Sequence, residues 1–121
     1  MNVIDSSCWI EFLLGTSQGE FVKAIVNDEA RLIVPSIALF EVHKFLSRQA
    51  LDETQLSFCL SEMQRGRVVE LNAVRAIAAS STAQTHKLAM ADAIMYSIAL
   101  EFNAAFWTQD VDYLGLPNVQ F

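Results

Sequence analysis

Short apolar runs alternate along the chain with longer stretches in which apolar residues recur at helical spacing. The short runs are rich in β-branched and aromatic residues, which favour strands. Five such runs are present, at Val3-Ile4, Arg31 to Val34, Val68 to Leu71, Ala105 to Thr108 and Asn118 to Phe121. The pattern therefore predicts five strands.

The stretches between these runs carry the start and stop signals of helices. Ser6 or Ser7 is expected to cap the first helix, which Gly15 ends. Asp52 and Gln55 have the spacing of a capping box. The predicted helices cover residues 6–14, 19–26, 36–48, 52–64, 72–85 and 89–102. The faces expected to be buried comprise Ala38, Val42, Phe45 and Leu46 in one helix and Ala91, Met95, Ile98 and Phe102 in another.

Strands that alternate with helices indicate an α/β fold. A crossover between parallel strands needs about a dozen residues or more, and the helical stretches are long enough to supply it. We expect a mostly parallel sheet with helices on both faces, in one domain over residues 1–121. The pattern leaves the order of the strands open.

The composition is more apolar than a domain of this size requires. Hydrophobic residues make up 53% of the 121 residues, against about 45–50% in typical domains. We therefore expect a second copy of the chain or a partner to cover part of the surface. Cys8 and Cys59 have no metal-binding spacing and are expected as reduced core residues of a cytoplasmic protein. Polar residues interrupt the longest apolar stretch, so no membrane span is expected.

The charge balance is acidic, with eight Lys and Arg residues against fourteen Asp and Glu residues and a net charge of −6. Affinity for nucleic acid comes mostly from Lys and Arg, so this balance argues against a passive phosphate-binding surface. It is compatible with acidic metal sites and with basic protein partners.

Five acidic residues fall where a parallel sheet would bring them together. Asp5 ends the first strand, Glu41 lies on the helix after the second, Asp92 begins the helix before the fourth, and Asp110 and Asp112 follow the fourth. Ligands of such sheets bind beyond the carboxyl ends of the strands. Clustered carboxylates repel one another unless a cation lies between them, and oxygen ligands in an open site suit Mg²⁺ or Mn²⁺. The acids therefore predict a divalent-metal site that hydrolyses phosphodiesters.

Each acid also has a purely structural explanation. Asp5 could begin the first helix as an N-cap, Glu41 could lie on a solvated helix face, and the acids of the 110–112 turn could make local hydrogen bonds. Asp92 is harder to explain in this way, because it lies within an apolar run where a buried unpaired charge is costly.

Hydroxyl side chains accompany the acids. Ser6, Ser7 and Thr108 lack the sequence context of a catalytic nucleophile. We expect Ser6 and Thr108 instead to hydrogen-bond the metal-ligating carboxylates or a water on the metal. His43 and His86 have no partner at zinc spacing and are expected to be structural.

The acids lie in four motifs. These are Val3-Ile4-Asp5-Ser6-Ser7, Val34-Pro35-Ser36-Ile37 with Glu41, Leu88-Ala89-Met90-Ala91-Asp92-Ala93-Ile94, and Trp107-Thr108-Gln109-Asp110-Val111-Asp112-Tyr113. In this order they resemble the PIN-domain ribonucleases, and within them the VapC-type toxins of bacterial and archaeal toxin–antitoxin pairs. The last motif is similar to a closing Thr-x-Asp-x-Asp-aromatic turn, with Tyr113 where Phe is more usual.

The resemblance implies a three-layer fold with strand order 3-2-1-4-5, a divalent-metal endoribonuclease, a homodimer and a cognate antitoxin protein. By position it assigns catalysis and metal binding to Asp5, Glu41, Asp92 and Asp110, which would hold one or two Mg²⁺ or Mn²⁺ ions. Asp112 is the alternate to Asp110.

For RNA to bind so acidic a chain, the few cations must be concentrated near the acids. Lys44 and Arg48 share a predicted helix with Glu41, and Lys87 precedes the Asp92 motif, so these three cations are the predicted RNA contacts. An acidic cleft would also accept a basic antitoxin tail.

Two other α/β classes place acids and Mg²⁺ at strand ends, and the sequence disfavours both. A response-regulator receiver needs an acceptor Asp after its third strand, where this chain has Glu70-Leu71-Asn72. A haloacid-dehalogenase-type phosphatase needs Asp-x-Asp after its first strand, where Ser6-Ser7 follow Asp5. The remaining alternative is a PIN-like fold without catalysis that binds RNA or a protein.

Overall fold

The computed structural model describes residues 1–121 and has an α/β fold. Its sheet has five strands, all parallel, in the order β3-β2-β1-β4-β5. The strands are β1 Asn2–Ile4, β2 Leu32–Pro35, β3 Arg67–Val69, β4 Ala105–Trp107 and β5 Val119–Gln120. The predicted fold class and the strand order implied by the resemblance are both confirmed.

Six α-helices connect the strands. They are α1 Ser6–Leu13, α2 Lys23–Asn27, α3 Ser36–Leu46, α4 Glu53–Met63, α5 Ala73–His86 and α6 Met90–Glu101. The helix predicted over residues 19–26 is instead a 3₁₀ helix, Ser17–Val22, followed by α2. Gly19 lies so close to α1 that a Cβ there would come within 2.4 Å of the Phe12 Cα, and this close approach shapes the segment.

β1 occupies the centre of the sheet, between β2 and β4. Val3 pairs with Ile33 on one side and with Phe106 on the other. The backbone N–H of Asp5 donates to the Trp107 carbonyl at 2.9 Å, which extends the β1–β4 pairing one residue beyond β1. The ends of β1 and β4 therefore lie side by side at one edge of the sheet.

α6 is the most deeply packed helix. It contacts α5 and α3 as well as β1, β2 and β4, and every residue from Ala93 to Ala99 is buried. The predicted buried stripe was therefore too narrow, and its outer members Ala91 and Phe102 are only half-buried. A helix covered on several sides has no exposed face for the 3.6-residue periodicity to mark.

Two local predictions were wrong. Phe45 is 42% exposed, because the buried face of α3 follows Ala38, Val42 and Leu46 at a spacing of four residues. Neither Ser6 nor Ser7 caps α1: Asp5 holds the N-cap position and makes no side-chain cap bond.

The predicted capping box is confirmed. The Asp52 carboxylate accepts from the Gln55 N–H at 2.7 Å, and the Gln55 side chain accepts from the Asp52 N–H at 3.0 Å. Cys8 is buried and Cys59 is half-buried, and both are free thiols. None of the helices has the length and apolar character needed to cross a membrane.

Candidate active site

Asp5 is the first residue after β1 and the most buried of the acids, with 3% of its surface exposed. Its Oδ2 accepts hydrogen bonds from the Thr108 hydroxyl at 2.8 Å and from the Ser7 hydroxyl at 3.3 Å. Thr108 is wholly buried and directly follows β4. The adjacent ends of β1 and β4 thus hold the Asp5 carboxylate in place.

Burial raises the pKa of Asp5 from 3.8 to about 6. The Thr108 hydrogen bond opposes the increase, while the negative charges of Asp92 and Asp110 add to it. The three carboxylates therefore face a common space.

Asp92 lies in the first turn of α6 and is half-buried. A helix N-terminus favours a carboxylate, yet burial raises the pKa of Asp92. The nearby Tyr113 hydroxyl opposes this increase, and the negative charges of Glu41, Asp110 and Asp112 add to it. Other negatively charged side chains therefore crowd the Asp92 carboxylate.

Glu41 approaches the same space from α3. Its Oε1 accepts from the Ser6 hydroxyl at 2.9 Å, which links α3 to the start of α1. Glu41 is half-buried and lies near enough to Asp92 for its charge to raise the pKa of that acid.

The turn after β4 contributes Asp110 and Asp112 through a chain of hydrogen bonds. The Asp110 N–H donates to the Thr108 hydroxyl oxygen at 3.0 Å, and the Asp110 carboxylate accepts from the Asp112 N–H at 2.9 Å. Asp110 is half-buried, and its charge raises the pKa of both Asp5 and Asp92. Asp112 is exposed, and its charge raises the pKa of Asp92. This placement favours Asp110 over Asp112 as the fourth acid.

The acids form an open set without a protein counter-ion. All four ion pairs of the structure lie elsewhere, at Arg31, Arg65 and Arg75. No three His, Cys, Asp or Glu side chains stand at metal-ligand spacing. The donor atoms are carboxylate oxygens, the type that Mg²⁺ and Mn²⁺ prefer, and Mg²⁺ characteristically binds one or two carboxylates and keeps several waters. The oxygen chemistry of the donors therefore fits such an ion, whereas their spacing lets fewer than three of them reach one ion at once.

A cavity of about 270 Å³ adjoins one of the acids, Glu41. Its lining residues are Ser6, Ser7, Ile10, Glu41, Lys44, Phe45 and Arg48. Lys44 and Arg48 thus lie beside an acid of the site, and the exposed Phe45 ring stands between them in sequence. Lys87 is exposed at the end of α5, with a left-handed φ of 55°, and does not line this cavity.

Sequence reasoning missed the hydroxyl of Tyr113. The side chain is wholly buried, and its hydroxyl has no hydrogen-bond partner. Burial and the charges of Asp5 and Asp92 raise its pKa. The one available signal was a Tyr where the resembled motif more often has Phe, because an aromatic residue there is otherwise indistinguishable from core.

A parallel sheet in the order 3-2-1-4-5, with acids gathered at the ends of β1 and β4, defines a protein of the PIN fold. The family model of the PIN domain matches residues 3–118, so the chain belongs to the PIN-domain family. None of the curated protein sequences matches it.

Several solved structures share the fold at low sequence identity. A toxin–antitoxin complex from Klebsiella pneumoniae is 17% identical, with a TM-score of 0.83, covering 100% of this chain and 97% of that one. VapC20 of Mycobacterium tuberculosis, a sarcin–ricin loop cleaving toxin, is 15% identical, with a TM-score of 0.77 and 98% of each chain covered. VapBC2 from Rickettsia felis, bound to a promoter DNA fragment, is 14% identical, with a TM-score of 0.75, covering 98% and 96%.

Proposed function

We propose that this PIN-domain protein is a divalent-metal-dependent endoribonuclease and the toxin of a VapBC-type toxin–antitoxin pair. The observation that carries the proposal is Asp5, a carboxylate 3% exposed that faces Asp92 and Asp110 without a cationic partner. Carboxylates crowded around a buried one repel one another and take up protons unless a cation lies between them. The toxin and toxin–antitoxin structures with the same fold support the assignment.

Asp5, Glu41, Asp92 and Asp110 would hold one or two Mg²⁺ or Mn²⁺ ions, with Asp112 as the alternate to Asp110. Such an ion, when bound, offsets charge on the phosphodiester and makes water a better nucleophile. The chain's own residues keep the acids in position: Thr108 holds Oδ2 of Asp5, and Ser6 holds Oε1 of Glu41. Each hydroxyl occupies one carboxylate oxygen and leaves the other free for the ion.

The cavity beside Glu41 is the proposed contact for RNA. Lys44 and Arg48 stand four residues apart and make no ion pair, so both are free to bind phosphate. Phe45 offers a partly exposed ring on which an unpaired base can stack. The bases of a duplex are not available for such stacking, so we expect a preference for single-stranded RNA. Lys87, which does not line this cavity, is the third proposed RNA contact.

An antitoxin is the proposed protein partner, and its basic tail would enter the acidic cleft. A second copy of the chain is the other proposed partner. Val74 and Ile77 on α5 are 77% and 71% exposed, and an apolar groove between α5 and α6 lies beside them. Exposed apolar surface of this kind is typical of an interface.

Cleavage of a panel of single-stranded and structured RNAs tests the proposal. We expect cutting in Mg²⁺ or Mn²⁺, none in chelator and none by Asp92→Asn. Glu53→Gln removes an exposed acid of α4 outside the site and should cut as the native protein does. Cutting that persists in chelator or in Asp92→Asn would overturn the proposal. Metal binding with no cutting of any RNA would favour the non-catalytic alternative.

A further inference from the structure

Tyr113 carries a hydroxyl group that the fold does not use. Its ring is fixed by Phe106 and Tyr96, with centroids 4.8 and 5.9 Å away. The hydroxyl is shielded from solvent and has no hydrogen-bond partner. An unsatisfied buried hydroxyl destabilises a protein, and phenylalanine would fill the same space without this cost. The fold alone therefore provides no hydrogen-bond acceptor for the Tyr113 hydroxyl.

Tyr113 lies beside the acid site, because its ring contacts Tyr96, which stands four residues from Asp92 on α6. The Tyr113 hydroxyl is close enough to the Asp92 carboxylate to favour the ionised form of that acid, although the two groups are not in hydrogen-bonding geometry. A tyrosine hydroxyl is protonated at neutral pH and can donate.

The other three acids of the site, unlike Asp92, each accept a hydrogen bond from a nearby donor. Asp5 accepts from Thr108, Glu41 from Ser6, and Asp110 from the backbone N–H of Asp112. Asp92 has no such donor, and Tyr113 has no acceptor. Carboxylates that ligate metals are characteristically held by a hydrogen bond of this type.

We propose that Tyr113 is a positioning residue that donates a hydrogen bond to the Asp92 carboxylate when a divalent cation is bound. The Tyr113 hydroxyl would then hold one oxygen of Asp92 and leave the other available to the cation. The inference rests on the proposed function, because it requires a cation at these acids.

The chain supplies a matched control in its only other tyrosine. Tyr96 is equally buried and contacts Tyr113, but its hydroxyl donates to the Pro117 carbonyl at 2.6 Å. Tyr96→Phe breaks a satisfied hydrogen bond, whereas Tyr113→Phe removes an unsatisfied hydroxyl. Both substitutions delete a tyrosine hydroxyl. Tyr96→Phe is expected to affect the Tm, whereas Tyr113→Phe is expected to affect the Mn²⁺ affinity.

The experiment measures two quantities for each protein: the Tm in chelator and the Mn²⁺ affinity by calorimetry. Tyr113→Phe should keep or raise the Tm and weaken Mn²⁺ binding roughly tenfold, the lower end of such effects. Tyr96→Phe should lower the Tm and leave Mn²⁺ affinity unchanged.

The outcomes separate this inference from the proposed function. If the native protein binds Mn²⁺, Asp92→Asn does not and Tyr113→Phe binds as tightly as the native protein, the inference is wrong and the metal site stands. A lower Tm for Tyr113→Phe in chelator would show a structural role and overturn the inference as well. If the native protein binds no Mn²⁺, or Asp92→Asn binds it equally well, the proposed function fails and the inference fails with it.

Discussion

Asp5 combines burial with a charge that nothing in the chain neutralises. Its pKa in the folded protein is about 6, against an ordinary value of 3.8. The folded state therefore binds this proton more tightly than the unfolded state, and stability falls as pH rises from about 4 through 6. Two pKa units correspond to about 3 kcal/mol at most.

We predict that the protein in chelator is more stable at pH 5 than at pH 7.5, and that Asp5→Asn reduces this difference. The Asn side chain carries no charge and still offers an oxygen to Thr108. Part of the pH dependence should remain, because the pKa of Asp92 is raised too. Denaturant unfolding at the two pH values measures the effect, with Glu53→Gln as the control. Equal pH dependence in Asp5→Asn and the native protein would contradict the prediction.

The proximity of Asp5, Asp92 and Asp110 could be predicted from the sequence, because strand ends and helix starts are local features. Their role in binding a metal stays a prediction. The Tyr113 hydroxyl could not be predicted, because its lack of a partner depends on residues distant in the chain.

α3 carries Glu41 and Lys44, and Arg48 lies just beyond its end; all three line the same cavity. Their spacing was readable from the sequence, since residues three and four apart share a helix face. The exposure of Phe45 was not, because an apolar residue on a helix is by default assigned to the core. Its position in the cavity wall depends on α1, which packs against α3.

We predict that Lys44→Gln and Arg48→Gln together weaken RNA binding and flatten its salt dependence. Each phosphate contact with a single strand contributes a slope of about 0.7, so losing two should reduce it by about 1.4. Fluorescence anisotropy with a short RNA, in an Asp92→Asn background that does not cut, measures the slope. Lys23→Gln removes an exposed, unpaired cation elsewhere and serves as the control. An unchanged slope in the double variant would exclude this cavity as the RNA contact.

At the scale of the whole molecule, the fold class followed from the alternation of strands and helices, but the strand order did not. Pairing of β1 with β4 joins residues about a hundred positions apart, and no local pattern specifies it. The order was available only through the four motifs. The burial of α6 on several sides could not be predicted either, because it depends on the complete assembly of sheet and helices.

The exposed apolar residues of α5 concern the assembly of whole molecules. We predict a dimer at tens of micromolar by light scattering, and a monomer for Ile77→Glu, because a charge in an apolar interface is costly to desolvate. Phe58→Glu places the same charge on an equally exposed apolar residue of α4 and should leave the dimer intact. A native monomer at this concentration would refute the prediction.

The proposed function requires the acids at the ends of β1 and β4 to bind a divalent cation. Thermal melting with increasing Mn²⁺ measures this binding. At a hundredfold excess over Kd, binding should stabilise the native protein by about 2.7 kcal/mol, roughly 10 °C in Tm for a chain of this size. Asp5→Asn should melt at or above the native protein in chelator and gain much less from Mn²⁺. Equal Mn²⁺ shifts in the two proteins, or none in the native protein, would show that these acids do not bind the cation.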